Sequence, residues 1–205
     1  MQRVTQAELP ALIADHQRWL ADASSGKRWE LCNSDISGRD LTGINLNKAV
    51  MREALLSHTN LTFANLTAAD LSGSDLSSAI LIGATLEATL LILARLEGAD
   101  LTRCSAKFAN FSQADLRSAL LREGYFHYTN FSAACLCAAD LSRARFDRCD
   151  LSQADLSGAM LTGALFYNCN LKGADLREAE TKHARFSRTD LKSAILRDEA
   201  NNPFK

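Results

Sequence analysis

A large apolar residue recurs at every fifth position from Leu31 to Leu196, across 34 positions without an insertion or deletion; only Ala106 and Thr181 break the series. Two residues before each of these centres the side chain is small. Of the 34, 21 are Ala, and Cys, Thr, Ser and Gly supply ten more, while the exceptions Trp29, Arg39 and Ile44 all fall at the start. One residue before the centre, 17 of 34 are Asp or Asn. A period of five suits neither regular element as a continuous run. On an α-helix, five residues advance the side chain by ~500°, so successive centres cover no single face. On an unbroken strand an odd period sends successive centres to opposite faces. All centres point inward only if the chain turns once per repeat. A short extended segment then directs the small residue and the centre into a tube, the Asp or Asn between them points out, and the small polar residues after the centre form the corner.

The number of repeats per coil follows from residues 20 apart. The six Phe centres occupy only two of four classes, Phe111 with Phe131 and Phe126 with Phe146, Phe166 and Phe186. Thr89, Thr129, Cys149, Cys169 and Thr189 at the small position also share one class. Both alignments indicate a four-sided coil of 20 residues, hence about 8.5 coils, and at the ~4.8 Å spacing of strands a rod roughly 40 Å long. The expectation is an all-β solenoid.

Quintets such as Ala69-Asp70-Leu71-Ser72-Gly73, Ala99-Asp100-Leu101-Thr102-Arg103 and Ala154-Asp155-Leu156-Ser157-Gly158 resemble the pentapeptide-repeat family. The resemblance implies a right-handed quadrilateral β-helix over residues 29–198. Periodicity gives the four sides; the hand comes from the resemblance alone.

A solenoid has to close its ends. Residues 1–28 lack the repeat, and Leu9, Leu12, Ile13, His16, Trp19 and Leu20 have helical spacing. Thr5 and Glu8 resemble a capping box, Pro10 delays the regular helix, and Gly26 is a stop signal. This segment reads as an α-helical N-terminal cap and linker, with Trp19 and Trp29 filling space above the first coil. After the repeats only the short tail 199–205 remains. It leaves two expectations: Phe204 folds back as a plug, or the last coil forms a homodimer through the C-terminal end.

Composition excludes several classes. With 47% apolar residues the chain is expected to fold, and a net charge of −1 argues against a wholly basic nucleic-acid binder. The longest apolar stretch, Leu90 to Ala94, falls far short of the roughly 20 residues that span a bilayer, and no secretory signal is evident. A reducing cytoplasm is the expected compartment, with no membrane partner. His16, His58, His127 and His183 show no metal-ligand spacing with Cys or carboxylates, and no phosphate loop is present, so neither metal, cofactor nor catalytic residue is assigned. Cys104, Cys149 and Cys169 occupy inward positions as core filler. Cys149 and Cys169 stack on neighbouring coils, but parallel side chains make poor bridge geometry. Cys135 and Cys137 flank Leu136 and point outward.

What such a rod offers is surface, and a protein partner is the expected ligand. The side of the Phe126–Phe186 column carries Tyr125, His127, Tyr128, Arg145, Arg148, Tyr167, Arg185 and Arg188 outward, including all three Tyr of the chain. Tyr and Arg favour interface hot spots, and the same mixture suits nucleic acid less well in a chain of this charge. A second side presents Phe63, Ile80, Ile82, Leu120 and Met160 as a candidate apolar patch. The family resemblance also implies an alternative: a DNA-like rod that protects or inhibits gyrase, a type II topoisomerase. Duplex DNA carries one charge per ~1.7 Å, so full imitation over such a rod needs on the order of 24 negative charges. One side carries Asp35, Asp75, Asp115, Asp155 and Asp175, but Arg95, Arg117 and Arg177 share it. The topoisomerase is therefore the lesser expectation.

Overall fold

A computed structural model of the chain describes residues 2–5 and 7–196. Over residues 29–196 the chain winds as a stack of four-sided coils. Every isolated β-bridge joins residues 20 apart in parallel, from Glu30 with Val50 to Asp175 with Ile195. The hydrogen bonds show how one quintet locks to the next coil. Leu71 N–H donates to the Leu90 carbonyl at 2.8 Å, Asp70 N–H to Ala49 at 2.9 Å, and Gly73 N–H to Ile92 at 2.8 Å. Within the coil, Ser74 N–H donates to the Leu71 carbonyl at 3.1 Å and closes the turn. Centres and small residues fill the interior: Leu71, Ala69, Leu156 and Ala159 have no exposed surface. The filled tube leaves no central channel among these residues.

The corners show what the turn demands. The residue two after the centre has positive φ at all 32 corners from Asn33 to Arg188, and 24 of these residues are not glycine. A left-handed conformation costs about 1–2 kcal/mol for a residue with a Cβ, and here it recurs with the repeat, offset by the inter-coil bonds and dry core it makes geometrically possible. It also aims corner side chains as large as Phe63, Leu93, Phe108 and Tyr128 into solvent.

The Asp and Asn before the centres do not simply point away. In all 17, Oδ1 folds over the corner and accepts the backbone N–H two residues on, at 2.8–3.2 Å. A short polar side chain satisfies a turn amide that has no other local partner, which is the reason Asp and Asn recur there.

One side is different. Strands β3 (Tyr125–His127), β4 (Arg145–Asp147), β5 (Leu165–Tyr167) and β6 (Arg185–Ser187) form a four-stranded parallel sheet with Phe126, Phe146, Phe166 and Phe186 in register. Their rings stack at centroid spacings of 4.9, 4.7 and 4.7 Å, and Phe111 stacks on Phe131 at 4.9 Å. At the small position that follows, Thr129 Oγ1 donates to the Ala106 carbonyl (2.5 Å), and Cys149 and Cys169 Sγ to the carbonyls of Phe126 and Phe146 (3.4 Å each). All six cysteines are free thiols.

At the N-terminal end a strand precedes the helix, a feature the hydrophobic pattern does not reveal. β1 (Gln2–Arg3) pairs in parallel with β2 (Ser34–Asp35), extending one side of the coil stack by a level. Arg39, a misfit in the repeat, donates from Nη2 to the Val4 carbonyl at 2.8 Å and so anchors this segment. Helix α1 (Leu9–Ala21) follows with Pro10 in its first turn. Glu8 accepts from the Thr5 N–H (2.7 Å) and hydroxyl (2.8 Å), so their contact forms one turn ahead of the helix. Gly26 is not the stop, since the helix ends five residues earlier. Its lack of a Cβ lets the chain pass against the helix backbone, where a Cβ would lie 2.3 Å from the Asp15 carbonyl oxygen. Under the helix, His16 and Trp29 are buried, and His16 Nδ1 accepts the Trp29 N–H at 3.0 Å. Trp19 stacks on His16 at 5.7 Å. None of the described helices is long and apolar enough to cross a membrane. The tail from 197 on, with Phe204, lies outside the described residues, so both expectations for closing the C-terminal end fall there.

Candidate interaction face

The β3–β6 side brings the eight Tyr, His and Arg residues expected from the sequence onto one surface. Register places Tyr125 beside Arg145 and Leu165 beside Arg185, with alternate side chains of each strand outside and the Phe inside. Tyr125, Tyr128, Arg145, Arg148, Tyr167, Arg185 and Arg188 are exposed, and His127 is half-buried. Six of them touch, in two groups. His127 meets the Tyr128 ring edge-on at 4.5 Å and the Tyr125 ring at 6.2 Å. Arg148 lies over Tyr128 at 5.3 Å and donates to its hydroxyl at 2.9 Å, while Arg188 lies over Tyr167 at 5.4 Å. His127 Nε2 is 3.3 Å from Asp147 Oδ2. These contacts fix the orientation of long side chains before any ligand arrives, which lowers the ordering cost of binding.

The sequence reading missed two members of this surface. Phe108, half-exposed at 50%, stacks on Tyr128 at 5.5 Å, and Lys107 Nζ lies 4.9 Å over the Phe108 ring. The signal was available, because Phe108 stands 20 residues before Tyr128 in the same corner column. The column Phe108-Tyr128-Arg148-Asn168-Arg188 therefore runs up one edge of the sheet as a ladder of π faces and guanidinium groups. At the other edge of the sheet an open groove of about 520 Å³ is lined by Glu123, Tyr125, Arg143 and Arg145. Arg103 Nε sits 2.8 Å from Glu123, and the pair holds the Glu123 carboxyl below the usual carboxylate range.

On the neighbouring side lie the five residues of the candidate apolar patch, which the coil register spreads over several levels. Phe63, Ile80 and Met160 are exposed, but Ile82 and Leu120 are half-buried. Stacking sets them apart: Ile80 pairs with Asp100, Asp100 with Leu120, Leu120 with Asp140, and Asp140 with Met160. Acidic residues thus separate the apolar ones at alternate coils. Only Phe63, Ile80 and Ile82 gather, with the Phe63 ring laid over Gly83 so closely that a Cβ there would lie 2.6 Å from it. A further pair of exposed apolar residues, Leu90 and Leu93, lies on the opposite side.

The thiols at inward positions fit their filler role. Burial pushes the Cys104 thiol up to about 12.

The chain belongs to the pentapeptide-repeat family: a family model described as pentapeptide repeats matches in eight copies within residues 34–198. Members of this family form right-handed quadrilateral β-helices, the fold seen here. Among solved structures, HetL, a pentapeptide repeat protein involved in heterocyst differentiation regulation from the cyanobacterium Nostoc sp. strain PCC 7120, is 31% identical. The match covers 87% of this chain and 95% of HetL, with a TM-score of 0.31. A second pentapeptide repeat protein from Nostoc is 31% identical over 43% of this chain and 75% of its own, with a TM-score of 0.41. Full-length QnrB1, a plasmid-mediated fluoroquinolone resistance protein, is 16% identical over 82% of this chain and 93% of its own, with a TM-score of 0.34. Comparison with curated proteins gave no match.

Proposed function

We propose that this protein is a non-enzymatic scaffold that binds a protein partner through the flat β3–β6 side of its rod. The observation that carries this is the exposed ladder of Phe108, Tyr128, Arg148 and Arg188 with Tyr125 and Tyr167 beside it, already ordered by mutual stacking. Large rings and guanidinium groups on a rigid sheet lose little conformational entropy on docking and are the residue types that dominate binding energy at interfaces. The excess of Arg over carboxylate there favours a partner surface with acidic character. The test compares wild type with Tyr128→Ala/Arg148→Ala/Tyr167→Ala, and with Gln113→Ala on a neighbouring side, in capture from the native cell. A defined protein retained by wild type and Gln113→Ala but lost by the triple variant supports the face; an unchanged set of captured proteins removes it.

A DNA-like role toward a topoisomerase draws little support from the acidic side. Arg95 sits between Asp75 and Asp115 in the stacked column, Cys135 between Asp115 and Asp155, and Arg117 and Arg177 pair with Asp115 (2.7 Å) and Asp175 (2.5 Å). That column is interrupted and half neutralised, unlike the unbroken charge of duplex phosphates. Protection of purified gyrase from a quinolone by micromolar protein would reverse this ranking.

A further inference from the structure

Residues ten apart in a four-sided coil of 20 lie across the tube from each other, so Cys135 and Cys137 stand on the side opposite β3–β6. They flank the buried centre Leu136, and alternation along an extended segment points both outward. Their Sγ atoms are 3.1 Å apart. Asp155 lies one coil along, bridged to Cys135 in parallel. The two sulfurs and an Asp155 carboxylate oxygen all lie within 4.8 Å of one another, and all three residues are half-buried. Asp155 Oδ1 accepts the Ser157 N–H at 2.9 Å, which orients the carboxylate and leaves Oδ2 without a hydrogen bond from the described residues. The nearby guanidinium groups are occupied. Arg117 is held by Asp115 through two bonds of 2.8 and 2.7 Å and reaches Glu97 at 3.3 Å, and Arg177 is held by Asp175.

We propose that Cys135, Cys137 and Asp155 form a binding site for a thiophilic divalent cation, Zn2+ above all, with water completing a tetrahedral set. Two thiolates and one carboxylate match the donor preference of Zn2+ and disfavour the hard cations Mg2+ and Ca2+. With Zn–S distances of about 2.3 Å, a tetrahedral ion places its sulfurs about 3.8 Å apart. The present sulfurs need to open by only about 0.7 Å, a side-chain torsion adjustment that leaves the backbone in place. The backbone is already fixed by inter-coil bonds, including Leu136 N–H to the Asp155 carbonyl at 2.7 Å, so the ligands from two coils are positioned before the ion enters. Burial, then the hydrogen bond with Cys135, pushes the Cys137 thiol up to about 11. Each Zn–S bond that forms replaces an S–H bond whose proton passes to solvent, two per ion. This site is independent of the protein-binding face.

The test titrates the reduced full-length protein with Co2+ as a spectroscopic probe. A thiolate-to-cobalt charge-transfer band and tetrahedral d–d bands saturating at one equivalent, both abolished by one equivalent of Zn2+, are expected. Cys135→Ser and Cys137→Ser each lower the affinity at least tenfold, and Asp155→Asn lowers it severalfold while keeping the charge-transfer band. Circular dichroism establishes that each variant is folded. No band at a tenfold excess of Co2+ over protein, or the same band in the folded Cys135→Ser/Cys137→Ser variant, overturns the proposal. Weakly buffered Zn2+ titration gives a second reading: release of two protons supports thiolate ligation, and release of none refutes it.

Discussion

The β3–β6 side and the remaining sides of the coil solve the same corner problem by different means. Elsewhere in the coil an Asp or Asn, where one precedes the centre, bonds the corner amide, as Asn130 does to Ser132 N–H at 2.8 Å. On the β3–β6 side those positions are Tyr125, Arg145, Leu165 and Arg185, and regular three-residue strands appear, backed by four stacked Phe rings. A turn held by its own carboxylate leaves the outer side chain committed to the fold. A side held from within by an aromatic stack frees that position for large exposed residues.

The largest expected effect is on that stack. Phe146→Ala removes a ring sandwiched between Phe126 and Phe166, and neighbours fixed by inter-coil bonds cannot collapse into the gap. It should cost about 3–5 kcal/mol in denaturant unfolding; a loss below 1 kcal/mol would show that the rings are not what holds the side. Next comes the corner strain both regions share. At Gly158, with φ +64 and nothing within 4 Å of an added Cβ, Ala introduces backbone strain and no clash. Gly158→Ala should cost about 1–2 kcal/mol, measurable in the same unfolding curves. Asn130 and Arg145 form a matched pair that tells the two kinds of side apart. Asn130→Ala should cost about 1 kcal/mol, the value of a lost cap, while Arg145→Ala on the strand side should change stability by less than about 0.5 kcal/mol. Equal losses would erase the distinction.

The smallest effect lies at the N-terminal end. Burial, with the Arg28 charge adding to it, holds His16 below the ordinary imidazole range. The unfolded chain takes up this proton near pH 6.5 and the folded chain only at lower pH. Between those values the unfolded state binds more protons, so stability falls as pH falls. Protonation at Nδ1 also opposes the Trp29 N–H it now accepts. Tryptophan fluorescence should report loosening of the cap below about pH 6.5, and His16→Gln should flatten that dependence.

Much of this was legible in the residues. The unbroken period gave the coil, and the Phe columns gave its four sides and the register that assembles the Tyr and Arg face. The same 20-residue spacing also separates Ile80, Leu120 and Met160 by Asp100 and Asp140, joins Phe108 to Tyr128, and sets Asp155 on Cys135. Those consequences follow only when every outward column is read coil by coil. The N-terminal strand was not legible, because two residues carry no periodicity and β1 is defined by its partner β2. Gly26 shows the same limit: a stop signal and a close approach to a helix look alike until the helix is placed.

The amino-acid order alone determined the four-sided course of the repeats, though not its hand, because one inward centre in every five residues permits only a chain that turns at each repeat. Tertiary structure decided which outward side chains become neighbours with a shared chemistry. Ring stacking and the pairing of Arg148 with Tyr128 or of Arg103 with Glu123 arise between coils, where atoms distant in sequence compete for the same few ångströms, whereas the fold of each Asp or Asn over its corner is a contact only two residues long.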